Sequence, residues 1–206
     1  MNIELALEFD SQMLTQEFPH TALRGHAHLW SGSSFQGAFL RIPQVASFLL
    51  GPDKESEQTL FAKGSHPDIL LFPDDGEKIK VEDARKIVQH VAMSPQGGMH
   101  LVLIENIDRM GEEAANLLLK TIEEPSSFVY FLCSTEHYEN VLPTLISRMT
   151  VHTVPLRTFT DTELSKAISH WQLPWQVDNL KMIIPAGEGI LYKMIKEYKE
   201  EGSLTM

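Results

Sequence analysis

Short apolar runs separated by segments of helical periodicity constrain this chain more than any other feature. His28–Trp30, Ile69–Phe72, Leu101–Ile104, Phe128–Cys133 and Val151–Val154 read as strands. Several are apolar without alternation, the pattern of strands covered on both faces of a parallel sheet. Parallel neighbours need crossover connections, and the intervening segments supply them. Val81, Ala84, Ile87, Val88 and Val91 recur at helical spacing, and Pro95-Gln96-Gly97-Gly98 closes that segment. A second helix is expected from about Gly111 to Glu124. Glu112 and Glu113 complement the dipole at its start, and Pro125 stops it. The fold class that follows is α/β, a five-stranded parallel sheet sandwiched by helices.

After Pro155 the pattern changes and no further strand is evident. Thr160 and Glu163 have the spacing of a capping box, opening a helix toward His170. A short helix is expected after Pro174, ending by Pro185. A last one carries Leu191, Met194, Ile195 and Tyr198 on one stripe before Gly202. The expected organisation is an α/β domain over residues 1–156 and a small helical lid domain over 157–206. Mixed charges between Lys196 and Gly202 read as a solvated helix end.

Composition narrows the function classes. No stretch approaches the roughly 20 apolar residues a membrane helix needs, and Met1-Asn2-Ile3-Glu4 lacks the start of a signal peptide. The single cysteine, Cys133, rules out a disulfide framework or a cysteine zinc cluster and reads as a small strand-core hydrophobe. A cytoplasmic location fits best. His26 and His28 share a strand face without a third ligand at metal-site spacing, so no metal is expected. With 17 basic against 28 acidic residues the formal net charge is −11. Gripping DNA alone calls for a basic surface, so protein partners are the first expectation.

Several segments, in order, carry a resemblance. His26-Ala27-His28-Leu29-Trp30-Ser31-Gly32 is similar to a first strand entering a phosphate-binding loop. Ser65-His66-Pro67-Asp68 and Ile79-Lys80-Val81 through Arg85 resemble a second strand and its helix. Leu101 to Met110 occupies the place of a Walker B strand and leads into Ala114-Ala115-Asn116-Leu117-Leu118-Leu119-Lys120-Thr121-Ile122-Glu123-Glu124-Pro125. Leu142-Pro143-Thr144-Leu145-Ile146-Ser147-Arg148 resembles a Ser-Arg-Cys motif, with Met149 in place of cysteine. Over about residues 26–155 the chain thus resembles the bacterial DNA polymerase III clamp-loader AAA+ family of gamma/tau and delta-prime subunits, most of all the delta-prime kind. The resemblance implies an AAA+ fold with strand order 5-1-4-3-2, a role in DNA replication, and work inside a complex. The implied partners are gamma/tau-type ATPase subunits and a delta-type subunit, with the sliding clamp and primed DNA reached through the complex. The family's cysteine zinc module before His-Pro-Asp has no counterpart. Its third, collar domain would begin where this sequence ends, so a protein without a collar is the expectation.

At the sites themselves the residues depart from an active ATPase. A phosphate loop needs glycines for close backbone approach, a lysine for the β/γ-phosphates and a Ser/Thr for Mg²⁺. Gly32 and Gly37 are present, but Phe35 stands where a glycine is needed, Ala38 replaces the lysine and Phe39 the hydroxyl. Phe35 and Phe39 are expected to fill the phosphate seat. At Walker B, Glu105 retains a carboxylate able to meet a metal, while Asn106 cannot act as a base. Asp108 reads as a helix-entry residue or a partner of Arg109, and Ser134 and Thr135, at the sensor-1 position, as strand-end hydroxyls. Gly187-Glu188-Gly189-Ile190, near the sensor-2 region, offers no arginine. No cofactor and no intrinsic ATPase activity are expected. From spacing alone, Arg148 reads as the end of a helix begun near Asn140, favoured there by the helix dipole. The surrounding motif implies instead an arginine finger reaching a neighbour's γ-phosphate, with Ser147 in support. The leading expectation is a non-hydrolysing subunit that lends Arg148 to an adjacent ATPase. A divergent gamma/tau-like subunit that still binds ATP, and an interaction module derived from the clamp-loader fold, are the alternatives.

Overall fold

The computed structural model describes residues 2–13, 23–33, 36–51, 53–72, 78–183 and 187–201. Met1, Phe35, Pro185 and Gly202, used in the expectations above, lie outside these. Helix α1 (Ile3–Met13) precedes β1 (Ala27–Ser31), followed by α2 (Arg41–Leu50) and α3 (Glu55–Ala62). Next come β2 (Ile69–Phe72), α4 (Val81–Val91), β3 (His100–Ile104), α5 (Glu112–Glu123) and β4 (Val129–Thr135). A short helix α6 (Pro143–Ile146) leads to β5 (Thr150–Thr153). The chain then stays helical through α7 (Asp161–Trp171), α8 (Val177–Ile183) and α9 (Glu188–Glu201).

The five strands form one parallel sheet in the order β2-β3-β4-β1-β5. Read from the other edge this is 5-1-4-3-2, the order the resemblance implies. Strands β1, β3 and β4 lie inside the sheet, and their period of two sends alternate apolar side chains to opposite layers. Leu29, Val102, Ile104, Phe131 and Cys133 pack on one face, against Ala84, Ile87 and Val91 of α4 and Ala114, Leu118 and Ile122 of α5. Trp30, Leu101, Leu103 and Leu132 pack on the other, against Ile42, Val45 and Ala46 of α2, Phe61 of α3 and Ile3 of α1. Each fully buried large side chain contributes about 1.5–3 kcal/mol, so the two layers account for most of the fold's driving force.

One expectation is corrected. No continuous helix starts at Asn140; a 3₁₀ turn at Tyr138–Asn140 precedes α6. Pro143 explains the break, because its ring keeps Leu142 extended (φ −58°, ψ 130°) and lacks the N–H that would continue a helix.

A third apolar cluster joins the two ends of the chain. Leu5, Ala6, Phe9 and Met13 of α1 pack with Phe39 and Leu40 and with Leu164, Trp171, Leu180, Leu191, Tyr192 and Ile195 from the helical segment. The Phe9 ring stacks on Trp171 at 5.9 Å and meets Tyr192 edge-on at 5.7 Å, separations at which aromatic pairs attract. The Thr160 hydroxyl accepts the Glu163 N–H at 3.3 Å and the Glu163 carboxylate accepts the Thr160 N–H at 2.8 Å. That is the capping box the sequence predicts, and it fixes where α7 begins.

Charge enters beside this cluster at Arg41. Arg41, the first residue of α2, donates through Nη2 to Oε1 of Glu188, the first residue of α9. The Glu188 side chain is fully buried, and burial raises its carboxyl above the ordinary carboxylate range, while Arg41 and Arg157 pull it down. Asp10, on α1, feels the same arginine. Burial pushes its carboxyl from 3.8 up to about 6, opposed by the Arg41 charge. One guanidinium thus serves two carboxyls, and Asp10 is the less well served. Asp10 Oδ1 is buried without a hydrogen-bond partner among the described residues.

Because the folded-state value of Asp10 lies above the ordinary one, its contribution to stability is fully present below pH 3.8. It is lost as pH rises through about 6. Asp10→Asn, which cannot ionise, is expected to stabilise the protein at pH 7.5 by about 1 kcal/mol, or a few degrees of melting temperature. That figure is reduced from the full shift because solvent screens a half-buried group. The gain should shrink toward zero at pH 4. Melts at the two pH values check it, and an equal gain at both would mean that ionisation is not the cause.

Candidate functional site

The loop after β1 sits at the carboxyl end of the sheet, where the AAA+ fold presents phosphates to backbone N–H groups. Here its polar groups are turned inward. The Gly32 N–H donates to the Thr135 carbonyl at 3.2 Å. The Ser33 N–H and hydroxyl both donate to Gln36 Oε1, at 2.7 and 3.0 Å, and Gln36 Nε2 donates to the Val154 carbonyl at 2.5 Å. A side-chain amide of the loop itself takes the donors that a phosphate would otherwise receive. Gly37 adopts the left-handed conformation (φ 66°). A Cβ there would lie 3.1 Å from the Gly189 nitrogen and 3.2 Å from Glu188 Cγ. Only glycine lets the start of α9 close this tightly on the loop.

The two substituted positions are both buried. Ala38 packs under Trp30 and Ile42, and Phe39 is 4% exposed with its ring edge-on to Tyr192 at 5.4 Å. Phe39 therefore lies in apolar packing with the helical segment; Phe35 falls outside the described residues. The acid at Glu188, near the sensor-2 region, approaches the loop as the partner of Arg41.

After β3, Glu105 donates its N–H to the Phe72 carbonyl at 2.8 Å. Asn106 is left-handed (φ 56°, ψ 61°), a conformation that asparagine tolerates better than most residues. It is 7% exposed, and its N–H donates to Ser134 Oγ at 3.3 Å. The Thr135 hydroxyl donates to Asp108 Oδ1 at 2.6 Å and accepts the His137 N–H at 3.2 Å. Asp108 is thus tied to the end of β4, a pairing that sequence spacing did not indicate. Ser134 and Thr135 are strand-end hydroxyls, as expected, and they bind the β3–α5 connection to β4.

Arg148 lies at the opposite end of the sheet. It follows α6 and precedes β5, whose first residue Thr150 pairs with His28 near the start of β1. The loop at Gly32 follows the other end of β1, about 15 Å away along a strand of this length. The Arg148 side chain is 29% exposed and borders a cleft of about 390 Å³ lined also by Gly25, His26, Glu123, Ser147 and Thr150. Its Nε donates to Glu123 Oε2 at 3.1 Å, and Nη2 lies 3.0 Å from the same oxygen in an ion pair. Its Nη1 donates to the Thr144 carbonyl at 2.9 Å and to Ser147 Oγ at 3.3 Å. The arginine tethers a carbonyl of its short helix, and it also stands at a sheet edge, away from its own loop. The ion pair with Glu123 went unforeseen.

The remaining candidates have structural partners. His28 Nδ1 and His152 Nε2 lie 3.1 Å apart, with His152 stacked on Trp30 at 5.0 Å; burial holds both imidazoles below their ordinary range. His26 Nδ1 is 3.0 Å from the Val129 carbonyl. Cys133 is fully buried, which pushes its thiol up and leaves it unreactive. Among the described residues no three His, Cys, Asp or Glu side chains are grouped to hold a metal, and no helix is long and apolar enough to cross a membrane.

The family model described as DNA polymerase III, delta subunit, matches residues 9–158. The chain belongs to that family. Among its relatives, the DNA polymerase III subunit delta' of Pseudomonas aeruginosa is 40% identical over 100 residues, covering 47% of this chain and 30% of that protein. The subunit delta' of Haemophilus influenzae is 35% identical over 127 residues, covering 59% of this chain and 39% of that protein. The matched part therefore spans about a third of these relatives' length. A crystal structure of a DNA polymerase III gamma subunit-related protein from Thermotoga maritima superposes with a TM-score of 0.54 at 19% identity. It covers 96% of this chain and 58% of that one. That likeness places the delta-family chain in the AAA+ fold.

The loop geometry sets an expectation for this family member. The purified protein should release no phosphate from ATP with Mg²⁺, since a missing lysine, metal ligand and base each ordinarily cost orders of magnitude. A phosphate-release assay checks it. Mg²⁺-dependent turnover abolished by Glu105→Gln would overturn it.

Proposed function

We propose that this chain is a delta-prime-type, non-hydrolysing subunit of the DNA polymerase III clamp loader that supplies Arg148 in trans to a neighbouring ATPase subunit. The observation that carries the proposal is the opposite placement of two sites on one sheet. The loop at the carboxyl end has its donors turned inward and two apolar residues where a lysine and a hydroxyl are needed. The arginine at the amino end borders an open cleft with its guanidinium held by three residues. A subunit so built has nothing to hydrolyse with and one group to lend.

Arginine suits that role because it is always charged and presents a planar fork of donors to a transferring phosphoryl group. Ser147 supports it by accepting from Nη1 while donating its own hydroxyl to the Thr144 carbonyl at 3.1 Å. The partners in this proposal are gamma/tau-type ATPase subunits and a delta-type subunit, with the sliding clamp and primed DNA engaged through the assembly, in the cytoplasm. Residues 1–156 would form the AAA+ unit that meets the neighbour, and residues 157–206 a helical lid. Family membership and the delta-prime relatives support the complex, and the formal charge of −11 favours protein partners over direct grip on DNA.

The test is reconstitution with the same organism's gamma/tau-type ATPase and delta-type subunit. Arg148→Ala is expected to leave folding and assembly intact, since a half-exposed arginine carries little of the core. It should lower clamp- and DNA-stimulated ATP hydrolysis by an order of magnitude or more. Arg148→Lys should rescue only in part, because a point charge cannot reproduce the fork. Full stimulated hydrolysis with the alanine variant would refute the finger role, and failure to assemble with the ATPase would refute the subunit assignment.

A further inference from the structure

We infer that Glu123 is a positioning residue for Arg148: it sets the guanidinium at the sheet edge, where Nη2 can be shared with an incoming anion. The inference rests on the trans role proposed for Arg148 and adds a second residue to it.

The geometry comes from two elements far apart in sequence. Glu123 is the last residue of α5, and Arg148 follows α6, so the packing of these helices brings the two together. The Glu123 carboxylate oxygen Oε2 accepts the Nε–H at 3.1 Å and lies 3.0 Å from Nη2 in the ion pair. On the other side Nη1 donates to the Thr144 carbonyl at 2.9 Å and to Ser147 Oγ at 3.3 Å. Arginine has five N–H donors in a rigid fork. Three are engaged by these hydrogen bonds, which fix the plane of the guanidinium, and Nη2 takes part only in the ion pair. Without Glu123 the side chain would be tethered at Nη1 alone and would rotate about its long stem, losing the preorganisation on which an electrostatic contact to a transition state depends.

The carboxylate has a second effect. With side chains 54% and 29% exposed, the Glu123–Arg148 pair is well solvated. Such pairs contribute little on their own, so a phosphate, with more charge, can share the guanidinium without a large penalty. A deeply buried partner would hold the arginine too tightly to lend. Glu123 and Arg148 both line the cleft.

The experiment is a double-mutant cycle in the reconstituted complex, reading the partner's stimulated kcat and its KM for ATP. Assembly is checked by size-exclusion chromatography and folding by thermal melts. Glu123→Ala is expected to lower kcat about three- to tenfold, the range for loss of an exposed ion pair, with KM for ATP unchanged. Glu123→Gln, whose amide oxygen still accepts from Nε, should fall between wild type and alanine. In the Arg148→Ala background, Glu123→Ala should have no further effect, because the two residues act as one unit. Losses that multiply in the double variant would mean that Glu123 acts through helix α5 and not through Arg148, and would overturn the inference. A normal kcat in Glu123→Ala beside a strong loss in Arg148→Ala would overturn it while leaving the finger role standing. An inert Arg148→Ala removes both.

Discussion

Everything in this structure depends on a parallel sheet whose three inner strands must be covered on both faces at once. Parallel strands cannot connect by tight hairpins, so each pair is separated by a helical crossover, and those crossovers are what cover the faces. Leu29, Ile104 and Cys133 stand side by side in register and face one helical layer; Trp30, Leu103 and Leu132 face the other. With both faces sealed, polar chemistry is confined to the two ends of the strands. That confinement gives the protein a carboxyl end and an amino end with separate characters.

At the carboxyl end the described residues after β1 make their polar contacts within the protein. Gly37 makes a left-handed turn that lets α9 close on it. Gln36 accepts from Ser33, Phe39 packs on Tyr192, and Arg41 meets a buried acid at the start of α9. Contacts within the protein hold the helical segment against the loop. A mixed cluster of one arginine and two carboxyls is an expensive way to join two surfaces, because burying charge is costly. Asp10, raised to about 6, registers that cost.

At the amino end the balance is reversed. The Arg148 guanidinium is fixed by short polar contacts yet stays partly in solvent, so it is oriented without being neutralised in a low-dielectric interior. The four-residue helix before it supplies little dipole, and the ion pair to Glu123 does more of the positioning than the helix end expected from the sequence.

The sequence by itself determined the layers. Short apolar runs placed all five strands to within one or two residues, and α4, α5, α7 and α9 followed from helical spacing, acidic first turns and one capping box. These signals are local, carried by residues a few positions apart, and the hydrophobic burial that they encode dominates folding. The identity of the lost groups at Ala38, Phe39 and Asn106 was equally legible, because a chemical requirement can be checked against a residue type without coordinates. Only the tertiary structure decided which polar groups meet. Asp10 with Arg41 and Glu188, Asp108 with Thr135, and Glu123 with Arg148 are pairings between distant parts of the chain, as is the docking of α1 onto α7 and α9. Each depends on angstrom-scale placement of side-chain tips. Such placement is set by how whole layers pack, and no periodicity along the chain records it.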